Sequence, residues 1–394
     1  MLPEYTHHLG TARSAIRELF EYGKQRSAVV GPENVFDFSL GNPSVPAPDC
    51  VQQTIIDLIN NVDPVVLHGY TSSQGDFESR RLMAENLNKR FGTNYKAENF
   101  YLTVGAAASL CCCFHGLINP GEEAVIFAPY FPEYIVFLTG ARAKIVTIPA
   151  DISSFQINFQ DLEKAINPNT KLLLVNSPNN PSGIVYSKET IRKLADLLET
   201  KSKEYGHPIY LISDEPYREI SFDDEVPWIP DYYKNTIVCY SFSKSLSLPG
   251  ERIGYVLVPE ETDDWENVYA SISGAGRLLG YVCAPGLFQR VVAKCCGETA
   301  DVSVYKKNRD ILYEALTSFG YKVVKPGGTF YIFPQALEAD ASKFAEKAKE
   351  MDLLLVPSDS FGCTGHVRIS YCVPTETVER SLPAFEKLAK EYLK

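Results

Sequence analysis

Ser241-Phe242-Ser243-Lys244-Ser245-Leu246-Ser247-Leu248-Pro249-Gly250-Glu251-Arg252-Ile253-Gly254-Tyr255 sets one lysine among serines and an arginine soon after it, inside Gly-x-Arg-x-Gly-Tyr. The run just before it, Thr236-Ile237-Val238-Cys239-Tyr240, is apolar and predicts a buried strand. Lys244 is therefore expected on a loop past a strand end, the place where open α/β sheets bind ligands. Most lysines are simply solvated. This one has hydroxyls at Ser241 and Ser243 and a guanidinium at Arg252 for neighbours, a set suited to phosphate oxygens. A lysine beside such a site can condense with an aldehyde carried by the phosphate.

The rest of the composition narrows the class. The chain has 394 residues, enough for two domains and a large core. A net charge of −11 without any basic run argues against nucleic acid or an anionic membrane as partner. Met1-Leu2-Pro3-Glu4-Tyr5-Thr6-His7-His8 lacks the basic start and apolar core of a secretory signal, and no apolar stretch reaches spanning length. The ten cysteines include no Cys-x-x-Cys. Cys111-Cys112-Cys113 and Cys295-Cys296 sit in apolar, helix-like segments and read as buried free thiols of a reducing cytoplasm. Six scattered histidines without His-Glu-x-x-His predict no metal site.

Working outward along the chain, a helix is expected over about 14–27, and Phe36-Asp37-Phe38-Ser39-Leu40 reads as a strand entering a turn at Gly41-Asn42-Pro43. A helix is expected from Phe77 to Arg90. Phe100 to Val104 reads as a strand, and Gly105-Ala106-Ala107 opens a helix whose N–H groups suit phosphate. Ala124 to Phe127 is a strand ending in Pro129-Tyr130-Phe131-Pro132-Glu133-Tyr134. Leu172 to Val175 is another, ending in Asn176-Ser177-Pro178-Asn179-Asn180-Pro181-Ser182-Gly183. Ile209 to Ser213 leads into Asp214-Glu215-Pro216-Tyr217-Arg218. Gly274-Ala275-Gly276-Arg277 has the wrong spacing for a dinucleotide loop. A long helix is expected over 301–319, with strands at Gly327 to Phe333 and Leu353 to Pro357. An arginine, Arg368, lies inside the apolar pattern His366 to Tyr371, a costly place unless paired.

Ser-x-Ser-Lys with Gly-x-Arg-x-Gly-Tyr resembles the lysine signature of class I/II aminotransferases, the fold-type I enzymes that use pyridoxal phosphate. The resemblance runs from about residue 36 to the end, and its motifs occur in family order. It implies an α/β fold: a large domain over 47–295 with a mostly parallel seven-stranded sheet, and a smaller α/β domain from 1–46 and 296–394. It implies pyridoxal 5'-phosphate as cofactor, with Lys244 as the covalent and proton-moving residue and Asp214 pairing the ring nitrogen. Tyr217 and Asn180 would bond the ring's phenolate oxygen, and Phe131 and Pro216 would flank the ring. The phosphate would rest on Gly105, Ala106, Ala107, Ser241, Ser243 and Arg252. Tyr70, in His68-Gly69-Tyr70, would reach the cofactor of a second subunit, so a homodimer with shared active sites is implied. Gly41, Asn180 and Arg368 would meet the substrate, with Arg368 on its α-carboxylate.

The implied activity is transfer of an amino group from an L-amino acid, aspartate first, to a 2-oxo acid such as 2-oxoglutarate. A carbon–sulfur β-lyase of the same fold shares these residues, so the motifs leave that alternative open. Arg277, downstream of Lys244, is the candidate for a side-chain carboxylate delivered from the partner subunit; an unrelated surface or interface role competes equally with this.

Overall fold

The computed structural model describes residues 2–12 and 15–393. β1 (Phe36–Asp37) joins a minor sheet taken up below. The main sheet is built from β2 (Phe100–Thr103), β3 (Glu123–Phe127), β4 (Lys144–Ile148), β5 (Thr170–Asn176), β6 (Tyr210–Asp214), β7 (Thr236–Ser241) and β8 (Gly254–Leu257). Its order is β2-β8-β7-β6-β5-β3-β4. β8 runs antiparallel to both neighbours, and the other pairings are parallel. The chain thus has the mostly parallel seven-stranded sheet expected of fold-type I. β3, β6, β7 and β8 are buried along their whole length. Their continuous apolar runs are what a sheet covered on both faces requires.

Alternate residues of each strand feed two cores. Ala124, Ile126, Leu172, Leu174 and Ile212 meet the helix Ala106–Leu117 and the helix Trp265–Leu278. Val125, Leu173 and Leu211 meet Ile191, Leu194 and Leu198 of the helix Lys188–Tyr205. That helix starts where the Ser187 hydroxyl accepts from the Thr190 N–H and ends at Gly206 in the left-handed region, the expected cap at each end.

β9 (Tyr331–Ile332), β10 (Leu353–Leu354), β11 (Val356–Pro357) and β12 (Val367–Ser370) complete two small sheets. β1 pairs with β10 in parallel, and β11-β12-β9 is antiparallel. Phe38, Leu312, Phe330, Phe344 and Phe385 pack under them, with the helices Ser303–Ser318 and Thr375–Tyr392 supplying cover.

Several elements differ from expectation for local reasons. The strand predicted over 36–40 stops at Asp37, because the Asp37 carboxylate takes the Ser39 N–H at 2.9 Å. Phe38 then turns its backbone to two strands, donating to Leu354 O and accepting from Ser370 N–H. The run 327–333 yields only β9: Gly328 N–H is taken by Gly183 O, and Thr329 has φ +63°. The run 353–357 splits at Leu355 into strands of different sheets. Lys244 sits on a four-residue helix, Phe242–Ser245, rather than a loop, because the Ser241 hydroxyl accepts from the Ser243 N–H. The helix expected over 14–27 is Ala15–Val30; residue 14 lies outside the described residues. No helix among the described residues is long and apolar enough to cross a membrane.

The segment that follows β6 is held by a buried ion pair. Arg218 and Glu215 are 2% and 1% exposed. The guanidinium also donates to Val226 O and Pro227 O and lies over Trp228. Glu215→Ala leaves that charge buried alone and is expected to lower the unfolding free energy by about 3–5 kcal/mol in urea melts. The paired change Glu215→Leu/Arg218→Met is expected to cost less than the single one. A loss of only about 1 kcal/mol, as for a surface pair, contradicts this.

Candidate active site

The carboxyl ends of β5, β6 and β7 open onto one cavity of about 380 Å³. β8 starts at the same edge because it runs the other way, and Gly254 pairs with both Ser241 and Thr103. Among the cavity walls are Gly41, Ala106, Ala107, Phe131, Asn180, Asp214, Pro216, Tyr217, Ser241, Ser243, Lys244, Arg252 and Arg368. The fold therefore gathers residues that are up to hundreds of positions apart in the chain.

Asp214 is the last residue of β6 and is 4% exposed. One carboxylate oxygen accepts from the Tyr134 hydroxyl at 2.5 Å and from Asn176 Nδ2 at 3.4 Å. The other, Oδ1, is buried without a hydrogen-bond partner. Burial raises this carboxyl to about 7, with the Tyr134 bond opposing the rise. Asn176 stands beside it because the β5–β6 register pairs the two residues. The same Asn176 side chain accepts the Asn180 N–H at 2.7 Å, which fixes the loop carrying Asn180.

Lys244 Nζ donates to Gly41 O at 2.8 Å and lies 5.2 Å from the Phe330 ring centre. Burial lowers its amine to about 8, and the nearby Arg252 and Arg368 push the same way. Gly41 lets the Tyr331 hydroxyl come up against the same turn, since a Cβ there would fall 1.8 Å from it. Arg368 is 2% exposed, donates to Ser39 O at 2.6 Å and Asn180 Oδ1 at 3.3 Å, and keeps Nε buried without a partner. The Tyr217 hydroxyl is 3.3 Å from that of Tyr331.

Arg252, with φ +52°, donates to Pro249 O and reaches over Gly105. Gly105 itself has φ +90°, and a Cβ on it would meet Arg252 Nη2 at 2.8 Å. The Ser241 and Ser243 hydroxyls lie 2.7 Å apart beside the same end. Guanidinium, paired hydroxyls and the first N–H groups of the helix Ala106–Leu117 make an anion cradle that only glycine leaves open. An unpartnered carboxylate oxygen, a low-pKa amine and this cradle suit a phosphorylated aldehyde with a basic ring nitrogen, the donor set that pyridoxal phosphate needs.

Two expected residues lie elsewhere. Tyr70 is 94% exposed, and Arg277 is exposed on the last turn of the helix Trp265–Leu278. Neither lines this cavity, so a role for either concerns a second subunit. Roles for Tyr134, Asn176 and Tyr331 were not anticipated. Tyr134 stood inside a quoted motif and Asn176 at a strand end, and only the folded register shows what they hold.

A family model, "Aminotransferase class I and II", matches residues 33–385. The chain belongs to the class I and II aminotransferase family. An aspartate/prephenate aminotransferase of Thermus thermophilus is 30% identical over 331 residues, covering 81% of this chain and 83% of its own. An aspartate aminotransferase of Pyrococcus horikoshii is 30% identical, covering 95% and 94%. A crystal structure of an amino transferase from Eubacterium rectale is 58% identical, with a TM-score of 0.98 over 100% of both chains. This aminotransferase thus places its buried charges within the fold its relatives share.

Asp214 gives a pH test. An unfolded aspartate ionises near 4, the folded one at about 7. Across that window the folded state holds the extra proton, so its stability falls as pH rises. Stripped of any cofactor, the protein is expected to lose on the order of a few kcal/mol relative to Asp214→Asn between about pH 4 and 7. Parallel urea-melt profiles for the two proteins contradict the assignment.

Proposed function

We propose that this aminotransferase uses pyridoxal phosphate bonded to Lys244 and moves the amino group of an L-amino acid, aspartate first, to 2-oxoglutarate in two half-reactions. The observation that carries the reading is the convergence on one cavity of the Lys244 amine, the half-paired Asp214 carboxylate and the half-paired Arg368 guanidinium. The relatives named as aspartate and aspartate/prephenate aminotransferases support the choice of donor.

When bound, pyridoxal phosphate supplies an electron sink for the pair left at the substrate Cα. Asp214, through the free Oδ1, would hold the proton on the ring nitrogen, and Tyr134 and Asn176 keep that carboxylate oriented. Arg252, Ser241, Ser243 and the N–H groups at Gly105, Ala106 and Ala107 bind the phosphate. Phe131 and Pro216 would confine the ring, and the Tyr217 hydroxyl and Asn180 amide would meet its phenolate oxygen. Arg368 forks onto the substrate α-carboxylate with Asn180 beside it, and Gly41 leaves room for the backbone to follow. Lys244, at about 8, is neutral in a useful fraction near neutral pH and takes the Cα proton as general base. The same amine would hold that proton and supply it as general acid.

Borohydride treatment of the holoenzyme is expected to fix a cofactor-sized mass on the peptide holding Lys244. Lys244→Ala is expected to lose that mark and roughly 10²- to 10⁴-fold in turnover. A donor panel with 2-oxoglutarate is expected to give parallel double-reciprocal lines. Mass on another lysine overturns the site, and release of pyruvate and ammonia makes the protein a β-lyase.

The functional unit is a cytoplasmic homodimer in this reading, with the exposed Tyr70 hydroxyl on the cofactor phosphate of the partner. Sedimentation at assay concentration is expected to show a dimer, and Tyr70→Phe to weaken cofactor retention. A fully active monomer contradicts this arrangement.

A further inference from the structure

Tyr331 lines the active-site cavity, is 3% exposed and has no part in the reading above. It opens β9, where its N–H donates to the Thr329 hydroxyl at 3.0 Å and its backbone pairs with Ser370 of β12. Arg368, two residues earlier on β12, lays its guanidinium over the Tyr331 ring, 4.7 Å from the centre. Tyr217 meets the same ring edge-on, with centres 5.8 Å apart and planes at 79°. The tip of the ring is stopped by Gly41, where a Cβ would lie 1.8 Å from the hydroxyl oxygen. Held on its face and at its tip, the ring ends with its hydroxyl 3.3 Å from that of Tyr217.

We propose that Tyr331 is a positioning residue acting through Tyr217: its hydroxyl donates to the Tyr217 hydroxyl and so leaves the Tyr217 proton for the cofactor's phenolate oxygen. The inference rests on the bonding of Tyr217 to the cofactor proposed above and says what directs it. A phenol has one proton to donate and lone pairs that accept. Among the described residues, each of these two hydroxyls has the other as its hydrogen-bond partner. Two directions are therefore available. If Tyr217 donates to Tyr331, it has no proton left for a ligand. If Tyr331 donates, the Tyr217 proton is free, and the bond that Tyr217 receives makes it a stronger donor. A phenolate oxygen accepts and never donates, so it selects the second direction. Burial pushes both phenols up from their ordinary range, so both protons stay in place near neutral pH.

The competing role is a passive one, a flat shelf beneath Arg368. Tyr331→Phe separates the two, because it keeps the ring and its face and removes one oxygen.

The test follows the cofactor absorbance of the holoenzyme against pH, without substrate. The band changes as the nitrogen joining Lys244 to the cofactor gains or loses a proton. A hydrogen bond donated to the neighbouring phenolate stabilises its negative charge and favours the form lacking that proton. Tyr331→Phe is therefore expected to raise the midpoint by about 0.3 to 1 pH unit, the effect of weakening one neutral hydrogen bond. Tyr217→Phe is expected to raise it further, and Tyr331→Phe added to that variant to change it no more. Calorimetric binding of propionate, which reads the Arg368 fork, is expected to match the parent in Tyr331→Phe. A midpoint raised by Tyr217→Phe but unmoved by Tyr331→Phe overturns the inference and leaves the proposed function standing. An equal rise from Tyr331→Phe when the Tyr217 hydroxyl is already gone does the same. A midpoint that neither single variant moves overturns the Tyr217 contact as well, and a holoenzyme without lysine-bound cofactor overturns the proposed function with it.

Discussion

A carboxylate is buried at the end of β6 with one oxygen paired and the other bare, and the rest of the site follows from that. A buried polar atom without a partner is unfavourable and rare. Asp214 is held in that condition by the sheet: parallel register sets Asn176 on one side and Cys239 on the other. Tyr134 closes the remaining approach from the helix Glu133–Gly140. Asp214 is part of the cavity wall, so a cation that reaches the bare oxygen gains both a charge partner and a hydrogen bond. A ring nitrogen that carries a proton is such a cation.

The opposing charges come from three directions, and the segment 39–41 ties two of them together. Ser39 O accepts from Arg368 and Gly41 O from Lys244. One short stretch near the N-terminal side thus joins the small sheets to the main one through the two cations themselves. Arg252 contributes from a backbone in the left-handed region, an arrangement that tight surrounding structure must enforce. Each of these three cations donates to a backbone carbonyl. Burial pushes the amine down and the carboxyl up, the directions that proton transfer requires.

Much of this was legible in the sequence because β-branched and apolar runs of five or six residues leave few alternatives. The strands ending at Asn176, Asp214 and Ser241 were readable from pattern alone, as were the polar residues placed just past them. Short strands were not, because Phe36–Asp37 and Tyr331–Ile332 are bounded by local hydrogen bonds, from the Ser39 N–H to the Asp37 carboxylate and from the Tyr331 N–H to the Thr329 hydroxyl. The partners of Asp214 escaped because register, which a lone sequence does not display, decides who stands beside whom. Arg277, which the resemblance assigns to the site of a partner subunit, does not line the cavity of its own.

The most direct measurement is the ionisation of Asp214 itself, read from the ¹³C carboxyl shift of aspartate-labelled protein and assigned by its absence in Asp214→Asn. Without cofactor the resonance is expected to titrate at about 7. With pyridoxal phosphate added it is expected to report an ionised carboxylate throughout that range, its midpoint pushed well down by the ring cation. A midpoint that stays where it was would contradict the account, because the bare oxygen would then face something other than the protonated ring.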